Sequence, residues 1–365
     1  MAERTRTTAR LPWLLGVPGW LAALALLAGC VPGGSSSPTP PTRLILLTHD
    51  SFAIPDVVVE GFETSRGIDV EILKGGDAGE MVNKAILTKD VPLADVLYGV
   101  DNTFLSRALD AGIFDPYQPA ALSSVPDQLE LGTTGAVTPI DYGDVCLNFD
   151  KAAFGDSSAT APTRLEDLAD PAYAGMTVVE NPATSSPGLA FLLATVGRFG
   201  DDGAYTWRDY WRELRENDVL VVNDWDTAYY TSFTHGSGGS GDRPIVVSYA
   251  TSPVAEVVFA DPPVVEAPTG VVVDGCFRQV EYAGVLSGAA APEIAREFIE
   301  FMLSAPFQQE VPLNMFVFPA NDQVSPPAVF VKHAATVASP VALDPGVIAA
   351  NRERWVQEWT DVVLR

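Results

Sequence analysis

Asn181-Pro-Ala-Thr-Ser-Ser-Pro-Gly-Leu-Ala-Phe-Leu-Leu193 joins the end of a strand to the start of a helix, and it decides how the rest of the chain is arranged. The preceding Met176-Thr-Val-Val179 has the β-branched character of a strand. Thr184, Ser185 and Ser186 place hydroxyls where a helix leaves its first N–H groups unpaired, and Pro187 suits the first helical position. Leu189, Phe191, Leu192 and Leu193 carry the helix into a core. Backbone N–H groups, hydroxyls and the positive end of the helix dipole then converge in front of the turn, where a hydroxyl, carboxylate or phosphate fits. By itself the stretch also reads as an ordinary capped helix, and the pattern has to recur for a ligand site to follow.

It does recur. Arg43–Thr48 is an apolar strand running into His49-Asp50-Ser51-Phe52, and ligands of open α/β sheets bind at such strand ends. A helix over 57–65 and an alternating strand over 68–73 complete a βαβ unit. Gly75 to Gly79 lacks a following Gly-Lys-Ser/Thr and reads as a strand-to-helix turn rather than a phosphate loop. The strand 94–100 ends at Asp101-Asn102, where Asp101 also suits the cap of a helix over 103–110. Val219–Val222 ends at Asn223-Asp224-Trp225-Asp226, and 244–249 delivers Ser248 and Tyr249. Two extended passages, 137–150 and 277–286, read as crossings between two lobes, with 264–273 a separate β-rich segment. Tyr205, Trp207, Tyr210, Trp211 and Leu214 are expected core residues of one helix, and Trp355 and Trp359, four apart, dock the last helix.

The ends bound the class. A basic start (Arg4, Arg6, Arg10), an apolar run over 11–27 and Leu27-Ala28-Gly29-Cys30 read as an export signal. Leu-Ala-Gly-Cys resembles the lipobox of bacterial lipoproteins, which implies that Cys30 is acylated and becomes the mature N-terminus. Gly, Ser and Pro residues follow as a flexible tether. The remainder, about 325 residues, exceeds what a single core usually supports and fits two lobes. A formal net charge of −25 disfavours nucleic acid, and any anionic membrane surface beyond the tether, while attracting cations. Cys146 and Cys276 remain as an even pair in an exported chain, so a disulfide is expected. With His49, His235 and His333 scattered, no metal-ligand spacing occurs and no metal site is expected. No activated nucleophile stands among the strand ends, which favours binding over catalysis.

THDSF at 48–52, GVDNTFL at 99–105, DYGDVCLNFD at 141–150, NPATSSPGLAFLL at 181–193, NDWDTAYYTSF at 223–233, VSYATSP at 247–253 and RERWVQEW at 352–359 are similar to the thiamine-binding proteins of ABC importers. The resemblance spans nearly the whole mature chain. It implies an α/β, two-lobed periplasmic-binding-protein fold of type II, with two mixed sheets flanked by helices and a ligand cleft between the lobes. A signal peptide at 1–29 and a linker at 30–42 would precede lobe 1 (43–140 plus 281–318) and lobe 2 (141–280 plus 319–365). The protein would be no enzyme and would carry no cofactor. It would be a lipid-anchored monomer on the extracytoplasmic face of the cell membrane, handing thiamine or thiamine monophosphate to an ABC permease. By the same resemblance Asp101 matches an acidic residue that recognises the thiamine cation, Ser185 a serine near the hydroxyethyl or phosphate end, and Trp225 and Tyr249 aromatics along the rings. His49 stands where the family has tyrosine and Phe316 where it has tryptophan; both keep a flat ring. Ferric-iron and polyamine binders share the general plan, and Tyr229-Tyr230 resembles the tyrosine pair of the iron binders, although helix neighbours point about 100° apart. A lipid-anchored hydrolase would need a Ser/His/acid set, and no such signature is present.

Overall fold

The two crossings are a pair of long neighbouring strands on which everything else is built. In the computed structural model, which describes residues 42–130, 135–155, 159–236 and 238–365, the strands in chain order are β1 (Arg43–Thr48), β2 (Asp69–Lys74), β3 (Val96–Asp101), β4 (Phe114–Asp115), β5 (Thr138–Asp150), β6 (Thr177–Glu180), β7 (Leu220–Val222), β8 (Ile245–Tyr249), β9 (Thr269–Leu286) and β10 (Phe318–Pro319). They form one sheet in the order β2-β1-β3-β9-β5-β8-β6-β7, with β10 added to β5 and β4 to β9. β1, β2 and β3 are parallel to one another, as are β6, β7 and β8; β5 and β9 run antiparallel between the two groups.

The two sheets expected from the sequence are therefore joined into one. β9 pairs with β3 of one parallel group, β5 pairs with β8 of the other, and β5 and β9 pair with each other along their length, so backbone hydrogen bonding runs on from one group to the other. The β-rich segment expected over 264–273 is strand only from Thr269, and from there it runs on into the second crossing as one strand, β9, because Gly275 adopts φ +79° and lets the register shift without ending the pairing. The apolar leader, Cys30 and the tether lie outside the described residues.

Cys146 of β5 and Cys276 of β9 are joined by the expected disulfide, beside that register shift. Both sulfurs are buried next to Ala250 and Val337. The bond closes a sequence separation of 130, which restricts the unfolded chain. Cys146→Ser with Cys276→Ser is expected to lower stability by about 2 to 4 kcal/mol, the usual range for a native disulfide. Urea denaturation of the variant against the oxidised protein measures it; superimposable curves would refute it.

The core explains why the helices sit where they do. The helix Ser186–Phe199 buries its residues from Ser186 to Val196, which is why it is apolar on every face. The next helix starts at Trp207, not at Tyr205, because Thr206 and Asp209 form a reciprocal cap: Asp209 Oδ2 accepts from Thr206 N at 2.8 Å and from Thr206 Oγ1 at 2.7 Å. Tyr205 is consequently exposed, while Trp207, Tyr210, Trp211 and Leu214 are buried as expected. Trp359 of the last helix, Pro345–Val363, meets Trp211 edge-on at 5.4 Å, and Trp355 Nε1 donates to Asp201.

Candidate ligand-binding site

The C-terminal ends of the parallel strands open onto one cavity of about 360 Å³. His49 to Ala53 follow β1, and Asp77 caps the helix Ala78–Leu87 after β2. Ser186 and Pro187 begin the helix after β6, Trp225 and Asp226 follow β7, and Tyr249 ends β8. Glu281 of β9 and residues 314–317 complete the lining. Convergence at strand ends is what this topology imposes, since each βα turn leaves the sheet at the same edge.

Trp225 lies nearly parallel to Tyr229, with centroids 5.0 Å apart and an interplanar angle of 16°, and its Nε1 donates to Ser248 Oγ at 3.0 Å. Tyr249 packs over Gly143 of β5, where any Cβ would come within 2.9 Å of the ring. Its hydroxyl donates to Gln279 Oε1 at 2.9 Å, and Gln279 Nε2 donates to Ser186 Oγ at 3.0 Å. Phe316 sits in the left-handed region at φ +56°, a strained state for a residue with a side chain. Its carbonyl accepts from Thr251 Oγ1, and its ring meets Phe259 at 5.4 Å.

Four of the residues expected from the sequence, His49, Trp225, Tyr249 and Phe316, thus line a single cavity. Asp101 does not. It is fully buried behind the cavity, where Oδ1 accepts from Thr103 Oγ1 at 2.7 Å and from the N–H groups of Thr103 and Phe104 at 3.2 Å each. Burial, with a contribution from Glu281, pushes its pKa up to about 7 against those hydrogen bonds. These bonds close a turn ahead of the helix Leu105–Asp110, whose N-cap is Phe104 without a side-chain bond, so the expected cap of a helix from 103 by Asp101 is not formed. Ser185 is fully buried as well, one residue behind the lining, and it is Ser186 that reaches the cavity. The hydroxyls of the turn do not cap the helix either: Thr184 Oγ1 donates to the Asn223 carbonyl at 2.6 Å, tying the turn to the end of β7.

The carboxylates of the lining are Asp50, Asp77, Asp226 and Glu281. Burial pushes Glu281 up, but His49, whose Nε2 lies 3.6 Å from Glu281 Oε2, together with Asp141 and Tyr98, outweighs it and holds the carboxyl below the ordinary glutamate range. Asp141 is Glu281's cross-strand neighbour on β5, and burial and Glu281 raise it far above its ordinary value, so one proton is retained between the two. The Tyr98 hydroxyl lies between both carboxyls. Burial opposes a charge on His49, yet Glu281 wins and its pKa is raised. Among the described residues, no lysine or arginine lines the cavity.

Glu281 and Asp77 were missed in the sequence, although each left a trace. Glu281 is an isolated acid in the apolar run Val280–Leu286, and Asp77 stands in the strand-to-helix turn after β2. Tyr229 and Tyr230 also face the cavity; the helix between β7 and β8 is a π-turn, with Phe233 N bonded to Ala228 O at 2.9 Å, which changes the angular spacing of its side chains.

A single mixed sheet crossed by two long strands, with a cavity at its parallel strand ends, defines a type II solute-binding protein of bacterial importers. The chain belongs to the bacterial extracellular solute-binding protein family, which matches residues 91–334, and this is a family of binding proteins rather than enzymes. It is 29% identical over 327 residues to the thiamine-binding periplasmic protein of Escherichia coli (strain K12), covering 88% of this chain and 94% of that one. Identity to the thiamine-binding periplasmic protein of Salmonella typhimurium is 27% over 350 residues, 94% of this chain and 98% of the relative. A solved periplasmic thiamin binding protein superposes with a TM-score of 0.76 at 28% identity, over 92% of this chain and all (100%) of that one. Iron-bound HitA from Pseudomonas aeruginosa, at 21% identity and a TM-score of 0.69 over 88% of this chain and 99% of that one, shares the fold.

Proposed function

We propose that this protein captures thiamine, or its monophosphate, outside the cytoplasmic membrane and delivers it to an ABC import permease. The observation that carries the reading is a cavity walled by Trp225, Tyr249, His49 and Phe316 and bordered by four carboxylates, with no lysine or arginine in its lining among the described residues. Thiamine is a fixed thiazolium cation joined to a flat aminopyrimidine, so it needs aromatic faces and a carboxylate field. Glu281, in the same lining and held below the ordinary glutamate range by His49, takes the part that the family resemblance gave to Asp101. The halves on either side of β5 and β9 act as lobes closing on the ligand, and contacts such as Ser51 Oγ to Asp226 Oδ1 at 3.0 Å already bridge them. The protein works as a monomer without a cofactor.

Ferric iron fits the site less well. A ferric site uses tyrosinate, whereas the Tyr229 hydroxyl donates to Glu256 Oε1 at 2.6 Å and burial raises its pKa far above the ordinary value. A thermal-shift and calorimetric screen of the ligand-free protein against thiamine, thiamine phosphates, ferric ion and spermidine tests the assignment. Stabilisation and heat with thiamine are expected; none, at concentrations where micromolar binding registers, would overturn it.

The protein is held to the membrane by acylation at Cys30, a reading supported by the Leu-Ala-Gly-Cys register after the apolar run. Cys30→Ser is expected to move most of it from the membrane to the soluble fraction, as read by immunoblot after fractionation. Full retention of a signal-cleaved Cys30→Ser protein would count against the anchor.

A further inference from the structure

We propose that His49 is an exchangeable counter-ion for Glu281, so that capture of a cationic ligand drives a proton off His49 into solvent and binding tightens as pH rises. The inference rests on the reading of the site as one for the thiamine cation, and adds to it a proton that the ligand's charge replaces.

A carboxylate in a largely buried site needs a positive partner. Glu281 has one within the protein: His49 Nε2 lies 3.6 Å from its Oε2, and both side chains belong to the cavity lining while being only 13% and 12% exposed. Among the described residues of the lining, His49 is the one side chain able to carry a positive charge. At 3.6 Å the contact is an ion pair rather than a hydrogen bond, and the buried Nε2 has no hydrogen-bond partner. What ties the ring to Glu281 is therefore its charge, and a second cation that reaches Glu281 competes for the same carboxylate. The ring has little room to withdraw on that side. Tyr98 meets it at 5.7 Å, and Gly99, at φ +98°, lies so close that a Cβ there would collide with His49 Cδ2. Loss of the proton, rather than movement of the ring, relieves the repulsion between the two cations.

The groups around the ring set the direction of the exchange. Glu281 faces it from β9, Lys74 from the end of β2, Asp77 from the turn that follows, and Tyr98 from β3. Asp141 of β5 is Glu281's cross-strand neighbour, with the Tyr98 hydroxyl bonded to both, and Asp50 and Asp226 share the lining. Burial opposes a charge on His49, but Glu281 and Asp77 outweigh burial and Lys74, so the ring keeps its proton to a pH above the ordinary 6.5. A thiazolium drawn to Glu281 brings a like charge beside the ring and offsets the carboxylate that held the proton, which lowers the pH at which His49 releases it. Between the free and the bound values one proton leaves for each cation taken up. Affinity therefore rises with pH across that interval and levels off above it.

The test is calorimetric titration of thiamine into the full chain at about pH 6.5 in two buffers of different ionisation heat, which counts protons, with Kd followed from about pH 6 to 8. Release of about half a proton or more is expected near pH 6.5, and Kd is expected to fall about tenfold over the range. His49→Gln and His49→Phe, whose side chains carry no charge, are expected to release less than about a fifth of a proton and to change Kd less than about threefold over the same range. Titrated identically, they also subtract any proton exchanged by the ligand itself. No release and a Kd flat with pH in the original protein overturn the proposal and leave the thiamine assignment standing. Release that persists in the folded variants assigns the proton to the Asp141 and Glu281 pair and overturns the role given to His49. Absence of thiamine binding at every pH overturns the thiamine reading and this inference with it. If both variants fail to fold, the ring-proton NMR signal of His49, identified by removing the other two histidines (His235→Gln, His333→Gln), decides. Its titration midpoint is expected to fall on saturation with thiamine, and a midpoint that stays or rises overturns the proposal.

Discussion

Trp225→Ala is expected to weaken thiamine binding about a hundredfold. A cation over a desolvated aromatic face contributes about 2 kcal/mol, and loss of ring contact adds roughly 0.5 to 1.5 kcal/mol, which together approach the 2.7 kcal/mol of two decades in Kd. The effect is concentrated at this residue because its ring is already ordered before any ligand arrives. Tyr229 lies against one face, Tyr230 and Tyr249 meet it edge-on at 5.4 and 6.3 Å, and Ser248 fixes its Nε1. Little side-chain entropy is then lost on binding. The backbone bond from Trp225 N to Asp77 survives the substitution, so lost binding reports the ring. Calorimetry on the folded variant decides it, and a Kd within threefold of the original would remove Trp225 from the site.

The second large effect concerns folding. Asp101 has a folded pKa of about 7 against an ordinary value of 3.8, so the folded chain holds its proton where the unfolded chain has released it. The sign follows directly: a raised carboxyl contributes its stability in full below pH 3.8, and that contribution is lost progressively as pH rises to about 7. At about 1.4 kcal/mol per unit, the difference of some three units amounts to roughly 4 kcal/mol. Asp101→Asn stays neutral and keeps an oxygen to accept from Thr103 and Phe104. The stability of the variant relative to the original should therefore rise by about this amount between pH 4 and pH 8 in urea titrations. A difference that stays flat with pH would show that Asp101 is ionised in the fold. Taking the difference cancels the other buried carboxyls, Asp141 and Glu180, which are raised in the same sense.

Asp101 also marks the boundary between what was legible in the chain and what was not. Strand ends followed by polar residues, the turn at Asn181, the long passage over 137–150, the pairing of Cys146 with Cys276 and the tryptophans of the last helix could all be read from the sequence. Each depends on local periodicity, turn chemistry or cysteine number, which the covalent chain expresses over a few residues. The same local signals placed His49, Trp225 and Tyr249 at the lip of the sheet, and the family resemblance added Phe316.

Which acid faces the ligand was not a local property. Asp101 ends β3 beside its own helix, and Thr103 and Phe104 turn its carboxyl inward; Glu281 lies 180 positions away in an apolar strand and becomes accessible because β9 crosses the middle of the sheet beside β5. Ser185 and Ser186 are alike in composition, and the packing of Thr184 against Asn223 decides which of the two reaches the cavity. The sequence by itself determined the elements, their edges and the class of protein. Only the tertiary structure joined two expected sheets into one and chose between neighbouring carboxylates and hydroxyls, because side-chain direction within a turn or a buried strand is set by partners distant in the chain.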